Sequence, residues 1–317
     1  MDLPAEPRAP TPAAPRVAIL LSVFNGERYL PAQLASLLAQ THRFWHLYWR
    51  DDGSADRSAA LMRAFAAGPA AGRVIEVPGL ASRQGAARSF LSLLAAAPPS
   101  DPVAYADQDD VWLPDKLARA LAALAAVPAE APAIYCARQT LVDANLARLG
   151  LSSPFSRPPG FPAALTQNVV TGCTAMLNPT AAALVANSHP PASTLHDWWS
   201  YLVVAAAGGR VIADPEPAVL YRQHGGNMIG APDHWLQRAI GALSRGPRPF
   251  MAKLREHVAA LNAEPDLLSP EAARALAIIA AALAAPPWRR LPALAVPGLL
   301  RQTPVETALF RLWFLLG

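Results

Sequence analysis

Along the first third of the chain, short apolar runs alternate with stretches whose apolar residues recur every three or four positions. Residues 17–24 (VAILLSVF) form an unbroken apolar run suited to a central parallel strand. Asn25-Gly26-Glu27 turns the chain, and Leu30, Leu34, Leu37 and Leu38 mark one face of the helix that follows. Residues 44–49 predict a second, aromatic-rich strand, with Ser54 placed to cap a helix over 55–67. A third strand is expected at 74–77, then a turn at Ser82-Arg83-Gln84-Gly85 and a helix carrying Arg88, Phe90, Leu91 and Leu94. Residues 102–106 give a fourth strand, and a helix begins near Leu113-Pro114-Asp115. Such alternation implies βαβ units and an α/β fold around a mainly parallel sheet. Further on, 167–171 and 173–177 read as strands about a bend at Thr171-Gly172, 196–204 as an apolar helix, and 218–221 as a strand. Helices are expected at 235–243, 250–261 and 270–284.

An open α/β sheet places its ligand beyond the carboxyl ends of its strands. In this chain those ends carry Ser22 and Phe24, then Asp51 and Asp52, then Asp107, Asp109 and Asp110, with Arg88 near a helix start on the same edge. Three carboxylates within four residues repel one another, and desolvating them is costly unless a positive charge sits among them. Hard oxygen ligands suit Mg²⁺ or Mn²⁺, which keep positions open for a diphosphate. The alternative is a solvated acidic turn capping the next helix. A Gly-x-Gly-x-x-Gly after the first strand and a Gly-Lys-Ser/Thr are both absent, which removes most support for hydride transfer and P-loop chemistry.

Composition narrows the setting. The chain has 317 residues, enough for one large α/β domain with an appendage. Its two cysteines, Cys136 and Cys173, are too few for a disulfide framework and point to a reducing compartment. Residues 1–15 are Pro- and Ala-rich without an apolar core, so a disordered tail is expected there and not a secretory signal. The net charge of +4 is uneven: residues 1–234 hold 17 basic and 18 acidic side chains, residues 235–317 hold 10 and 5. No basic run with interleaved aromatics supports nucleic acid as a partner. An anionic membrane surface fits the basic excess better.

Seven short motifs, in order, resemble those of family 2 glycosyltransferases, nucleotide-sugar-dependent enzymes with the GT-A fold. They are Ser22-Val23-Phe24-Asn25-Gly26-Glu27, Asp51-Asp52-Gly53-Ser54, Gln84-Gly85-Ala86-Ala87-Arg88, Asp107-Gln108-Asp109-Asp110-Val111-Trp112, Thr171-Gly172-Cys173-Thr174, His196-Asp197-Trp198-Trp199 and Tyr221-Arg222-Gln223-His224. The likeness is greatest to the rhamnosyltransferase-like branch that builds bacterial surface polysaccharides. It implies a donor site made of Ser22, Phe24, Asp51, Asp52, Gly85, Arg88 and Asp107. Phe24 would flank the nucleobase, Asp52 (or Asp51) would accept from a pyrimidine ring nitrogen, and Arg88 would hold the nucleotide by charge-assisted hydrogen bonds. Asp107, Asp109 and His224 would hold Mg²⁺ or Mn²⁺, with Asp110 supporting the site or capping a helix. Thr171, Gly172, Trp198 and Trp199 would face the acceptor, with one tryptophan of the pair expected in the core. Asp197 aligns with the catalytic base; the preceding residue is Glu in the usual pattern and His196 in this chain, which leaves open which side chain takes the proton.

The resulting expectation is an inverting, metal-dependent transfer of a sugar, first of all rhamnose from its dTDP donor, to a glycan or lipid-linked acceptor in cell-surface polysaccharide synthesis. A nucleotidyltransferase or a silent sugar-nucleotide-binding protein are the rival readings. The domain would span residues 16–234. Residues 235–317 would form a helical extension that packs on the domain or, through Trp288-Arg289-Arg290 and the aromatic segment 310–316, lies in a membrane interface. The expected location is the cytoplasm, peripherally on the inner face of the plasma membrane.

Overall fold

The computed structural model describes residues 15–78, 83–224 and 246–317. Strand β1 (Val17–Val23) lies at its centre and pairs in parallel with β2 (Trp45–Asp51) on one side and β4 (Val103–Ala106) on the other. β3 (Val74–Glu76) continues the parallel ladder beyond β2. The alternation of side chains along a strand sorts these residues onto two faces. Ala18 and Leu20 join one hydrophobic cluster with Tyr48, Val103 and Tyr105, while Val17, Ile19, Leu21 and Val23 join another with Trp45, Leu47 and Trp49. Helices α1 (Leu30–Leu38), α2 (Ser58–Ala67) and α4 (Lys116–Ala125) cover the second face. Helices α3 (Ala86–Ala96), α6 (Pro179–Ala186) and α7 (His196–Ala206) cover the first. The α/β class and the helix-flanked sheet follow the sequence reading.

The other half of the sheet is mixed. β8 (Met176–Leu177) runs antiparallel to β4 and to β6 (Ala133–Val142), and β9 (Arg210–Arg222) is parallel to β6. β5 (Val111–Trp112) and β7 (Arg148–Leu151) add antiparallel to β9 and β6. The order is β3-β2-β1-β4-β8-β6-β9-β5, with β7 beside β6. β5 and β8 are two residues long, too short to leave an alternating pattern in the sequence. The expected strand at 167–171 is irregular chain, preceded by the one-turn α5 (Ala163–Thr166), and a 3₁₀ turn, Gly172–Thr174, replaces most of the strand expected at 173–177. Ser54 does not cap α2, which starts four residues later; its hydroxyl donates to Asp51 and accepts from the Asn25 N–H.

Towards the C-terminus, α8 (Pro247–Asn262), α9 (Pro270–Ala284) and α10 (Pro304–Leu316) contribute Met251, Leu254, Leu276, Ile279, Phe310 and Phe314 to the same cluster as α7 and β4. All six are at most 1% exposed. At roughly 1.5–3 kcal/mol each, their burial is on the order of 10 kcal/mol, comparable with the stability of a whole domain. The expected helix at 235–243 and the expected N-terminal tail, apart from Pro15, lie outside the described residues.

Candidate active site

β1 is flanked by β2 on one side and β4 on the other, so the chain reverses its winding there and opens a crevice at the strand ends. Gln108 sews that crevice together. Its side-chain amide accepts from the Phe24 N–H and donates to the Phe24 carbonyl, both at 2.9 Å, locking the end of β1 to the acidic segment after β4. Gly26 is needed for this fit, because a Cβ there would lie 2.3 Å from Gln108 Oε1. Asn25, at φ 47°, accepts from the Ala55 N–H, and Gly26 and Glu27 donate to Ser58 and Asp56. The turn after β1 is thus held by the turn after β2.

Asp52 is buried, and its two oxygens accept from the backbone N–H groups of Gln84 and Gly85, each at 2.7 Å. Arg50 and Arg83 approach the same carboxylate at 3.4 and 4.0 Å. Asp52 therefore anchors the start of α3, where Gly85 takes φ +77°. A carboxylate has about four acceptor positions, so these contacts leave one open. The guanidinium of Arg83 lies 3.7 Å above the Phe24 ring. Asp51 is engaged by the Ser54 N–H and hydroxyl, Ser22 is partly exposed at the end of β1, and Arg88 is exposed on α3.

Beyond β4 the three carboxylates separate. Asp109 meets His224 at 2.9 Å, and the His224 ring stacks on Tyr29 at 4.7 Å. Arg222 donates to the Asp109 carbonyl, and its own N–H reaches Asp110, tying β9 to the cluster. Asp110 is wholly buried; among the described residues its Oδ2 has no hydrogen-bond partner, and the Cys173 thiol lies against this carboxyl. It caps no helix, since Asp115 stands at the start of α4. Burial, then the charges of Asp109 and Asp197, push Asp107 up to about 8. Asp107, Asp110 and Cys173 bring ligand atoms within 4.8 Å of one another. Carboxylates so mutually destabilised, with an orphaned buried oxygen among them, fit a divalent cation. Burial and the adjacent carboxylates raise the Cys173 pKa and keep its thiol protonated, so the hard ligands within that group are the two carboxylates, while the expected ligands Asp109 and His224 pair with each other outside it. The sequence reading did not single out Lys116, which is wholly buried, with Nζ 3.5 Å over the Trp112 ring and no hydrogen-bond partner. Burial lowers its pKa to about 7, opposed by its attraction to Cys173 and Asp107. Trp112 lies on β5 and Lys116 opens α4, so no regular spacing in the sequence marks the pair.

Asp197 begins α7, 9% exposed. It accepts from the N–H groups of Gly172 (3.0 Å) and Trp198 (2.6 Å) and from the Asn168 side chain. Burial nevertheless pushes it up to about 6, the range a general base needs. Gly172 contributes its N–H to this carboxylate and leaves room for it: a Cβ would sit 2.9 Å from His196 Nε2. Thr171, whose carbonyl starts the 3₁₀ turn, is partly exposed beside it. His196 belongs to the core, its ring 4.0 Å from Phe90 and 4.8 Å from Tyr105. Burial lowers it to about 3, so it is neutral at physiological pH. The two tryptophans divide into the one core residue expected of the pair and one partly exposed residue. Trp199 is fully buried with its indole N–H on Ser188, whereas Trp198 is partly exposed, donates to the Ala164 carbonyl and meets His257 edge-on. Trp199 is a packing residue and gives an acceptor no surface.

Residues 18–181 match the family model described as Glycosyl transferase family 2. The chain belongs to this family. Among curated proteins it is similar to the dTDP-rhamnosyl transferase RfbG of Shigella flexneri, 25% identical over 226 residues, covering 67% of this chain and 74% of the relative. Among solved structures it resembles S. aureus TarS in complex with UDP-GlcNAc, with TM-score 0.58, 14% identity, and 85% and 71% of the two chains covered. It also resembles the mannosyltransferase PcManGT of Pyrobaculum calidifontis in complex with GDP-Man and Mn²⁺, with TM-score 0.50, 19% identity, and 95% and 88% covered. The sheet and the helices that flank it are therefore a GT-A fold. Nucleotidyl transfer is left without support.

Proposed function

We propose that this glycosyltransferase moves a sugar from a nucleotide diphosphate to an acceptor hydroxyl with inversion of the anomeric centre, and that it depends on Mg²⁺ or Mn²⁺. The observation that supports the reading is that Gly172, whose N–H binds Asp197, immediately precedes Cys173, whose thiol lies within 4.8 Å of ligand oxygens of Asp107 and Asp110. A carboxylate of raised basicity and the acidic cluster thus meet the same short turn. Asp197 takes the proton of the acceptor hydroxyl, and the resulting oxygen attacks the anomeric carbon from the face opposite the diphosphate. Hydrogen bonds from Gly172, Trp198 and Asn168 fix the orientation of the Asp197 carboxylate. Phe24, on the strand end locked by Gln108, flanks the nucleobase, with Ser22, Asp51, Asp52 and Gly85 around it and Arg88 on the phosphates. Asp107, Asp109 and His224 would hold the cation, which when bound neutralises charge on the departing diphosphate. Thr171 and Trp198 border the acceptor.

Similarity to the rhamnosyl transferase makes dTDP-rhamnose the first donor to test, with UDP-hexoses next. The acceptor is a glycan or lipid-linked glycan of the cell surface, met by a cytoplasmic enzyme in peripheral contact with the plasma membrane. Screening purified protein against a panel of nucleotide sugars with Mg²⁺ or Mn²⁺, and following release of free sugar and nucleotide, tests the reading. Turnover of dTDP-rhamnose that EDTA abolishes is the expected result; turnover undiminished in excess EDTA refutes the metal-dependent form.

A further inference from the structure

Ten large hydrophobic side chains are exposed among the described residues, and six of them fall within 278–316. Three lie along α10: Val305, Leu312 and Leu316, at 65, 50 and 67% exposure. Spacings of seven and four put them on one face of a helix. The opposite face is spent on the core, where Phe310 and Phe314 are fully buried. A wholly soluble terminal helix would carry polar residues on its outer stripe. Beside this one stands Trp288, 72% exposed in the turn Pro287–Arg289. Arg290 fixes that turn to the end of α10 by donating to the Phe314 carbonyl at 3.0 Å and to Ala285. The indole is therefore displayed beside the apolar stripe.

The charge around the stripe has one sign. Residues 285–317 hold four arginines and a single carboxylate, Glu306. Glu306 is committed to the capping box with Thr303, and Arg289 and Arg311 are exposed. A 13-residue helix spans about 20 Å, short of the roughly 30 Å of a bilayer core. No helix among the described residues is long and apolar enough to cross a membrane. An apolar stripe, an exposed tryptophan at its end and flanking arginines are the features of a helix that lies in a lipid headgroup region.

We infer that the outer face of α10 together with the Trp288 turn is the surface by which this protein rests on an anionic bilayer. The inference rests on the membrane contact proposed above and names the residues that make it; it does not require the transferase reaction. Sedimentation with phosphatidylglycerol-containing vesicles, without donor or divalent cation, tests it. The wild-type protein should partition onto the vesicles, less so onto pure phosphatidylcholine or in high salt. A Trp288→Ala/Leu312→Ser/Leu316→Ser variant, and separately Arg289→Glu/Arg311→Glu, should lower partitioning by roughly tenfold or more. Leu149→Ser/Leu151→Ser, on the exposed strand β7, should leave it unchanged, and circular dichroism checks that all variants are folded. If the wild-type protein stays in the supernatant, both membrane contact and this surface are refuted. If it binds and both variants bind equally, contact is made elsewhere and this surface is refuted. If mass photometry without lipid shows a dimer that Leu312→Ser/Leu316→Ser dissociates, the stripe is a self-association face and the inference fails.

Discussion

Replacing Asp197 with Asn separates the roles of this carboxylate, because the same group governs turnover and stability with opposite signs. Burial holds it near pKa 6 in the folded protein, against 3.8 for an ordinary Asp. About two pKa units correspond to roughly 3 kcal/mol. The folded state binds the proton more tightly than the unfolded chain does. Its contribution is therefore fully present below about pH 4 and is lost as pH rises through about 6. Asn cannot titrate, so this loss disappears. Against that gain, Asn offers a single oxygen where Asp197 receives the Trp198 and Gly172 N–H groups on separate oxygens. One N–H then faces an amide NH₂, at a cost of about 1–3 kcal/mol at every pH. The variant should be the less stable protein at pH 4 and should draw level with or pass the wild type between pH 6 and 8. Asp107 titrates in both proteins, and the missing negative charge lets its pKa fall from about 8. Urea unfolding of both proteins from pH 4 to 8 measures the difference curve. Turnover should fall by about 10²- to 10⁴-fold, and the wild-type rise in kcat/KM near pH 6 should vanish. A stability difference independent of pH would refute the buried-charge argument. Normal turnover in Asp197→Asn, with His196→Gln inactive, would move the base to His196.

Asp109→Ala should abolish transfer and weaken Mn²⁺ binding in titration calorimetry, and Asp110→Ala should weaken it less, since Asp110 is wholly buried behind the cluster. Gln108→Ala deletes both hydrogen bonds to the Phe24 backbone; denaturant unfolding should show a loss of roughly 1–3 kcal/mol, and donor KM should rise. Gly172→Ala drives a methyl group to 2.9 Å from His196 Nε2 and 3.5 Å from Asp197 Cβ. Its turnover should drop while calorimetric donor affinity stays within error of wild type, and loss of both together would count against the assignment of Gly172 to the base.

What the sequence disclosed follows the range of the interaction that encodes it. β1, β2 and β4 are mostly buried runs, and each is specified by its own residues. The carboxylates at their ends were legible for the same reason, since the end of a run and the charge after it are neighbours in the chain. β5 and β8 are two residues each and exist only because a distant strand lies beside them, so no local pattern announces them. Gln108 stands between two motif aspartates as an unremarkable polar residue until the 84-residue bridge to Phe24 is seen. Trp198 and Trp199 are adjacent in an apolar helix, and only the positions of Ala164, Ser188 and His257 decide which indole is sealed away.

Gly172 and His196 show how far that dependence reaches into the chemistry. The sequence left either His196 or Asp197 to act as base, and their side-chain types alone favour the imidazole, whose ordinary pKa is the closer to neutrality. Packing supports Asp197, the residue that aligns with the base. Desolvation penalises the charged form of each group, so it drives the two in opposite directions. Enclosed by Phe90 and Tyr105, His196 is lowered to about 3 and loses its grip on a proton, while Asp197, at the start of the same helix, is raised to about 6 and gains one. The Gly172 N–H then fixes the orientation of the carboxylate without supplying the charge that would cancel its basicity. A side chain at 172 would press on the His196 ring at 2.9 Å while meeting Asp197 Cβ only in ordinary contact at 3.5 Å, which explains a glycine at a position where φ is unremarkable and any residue could adopt the backbone.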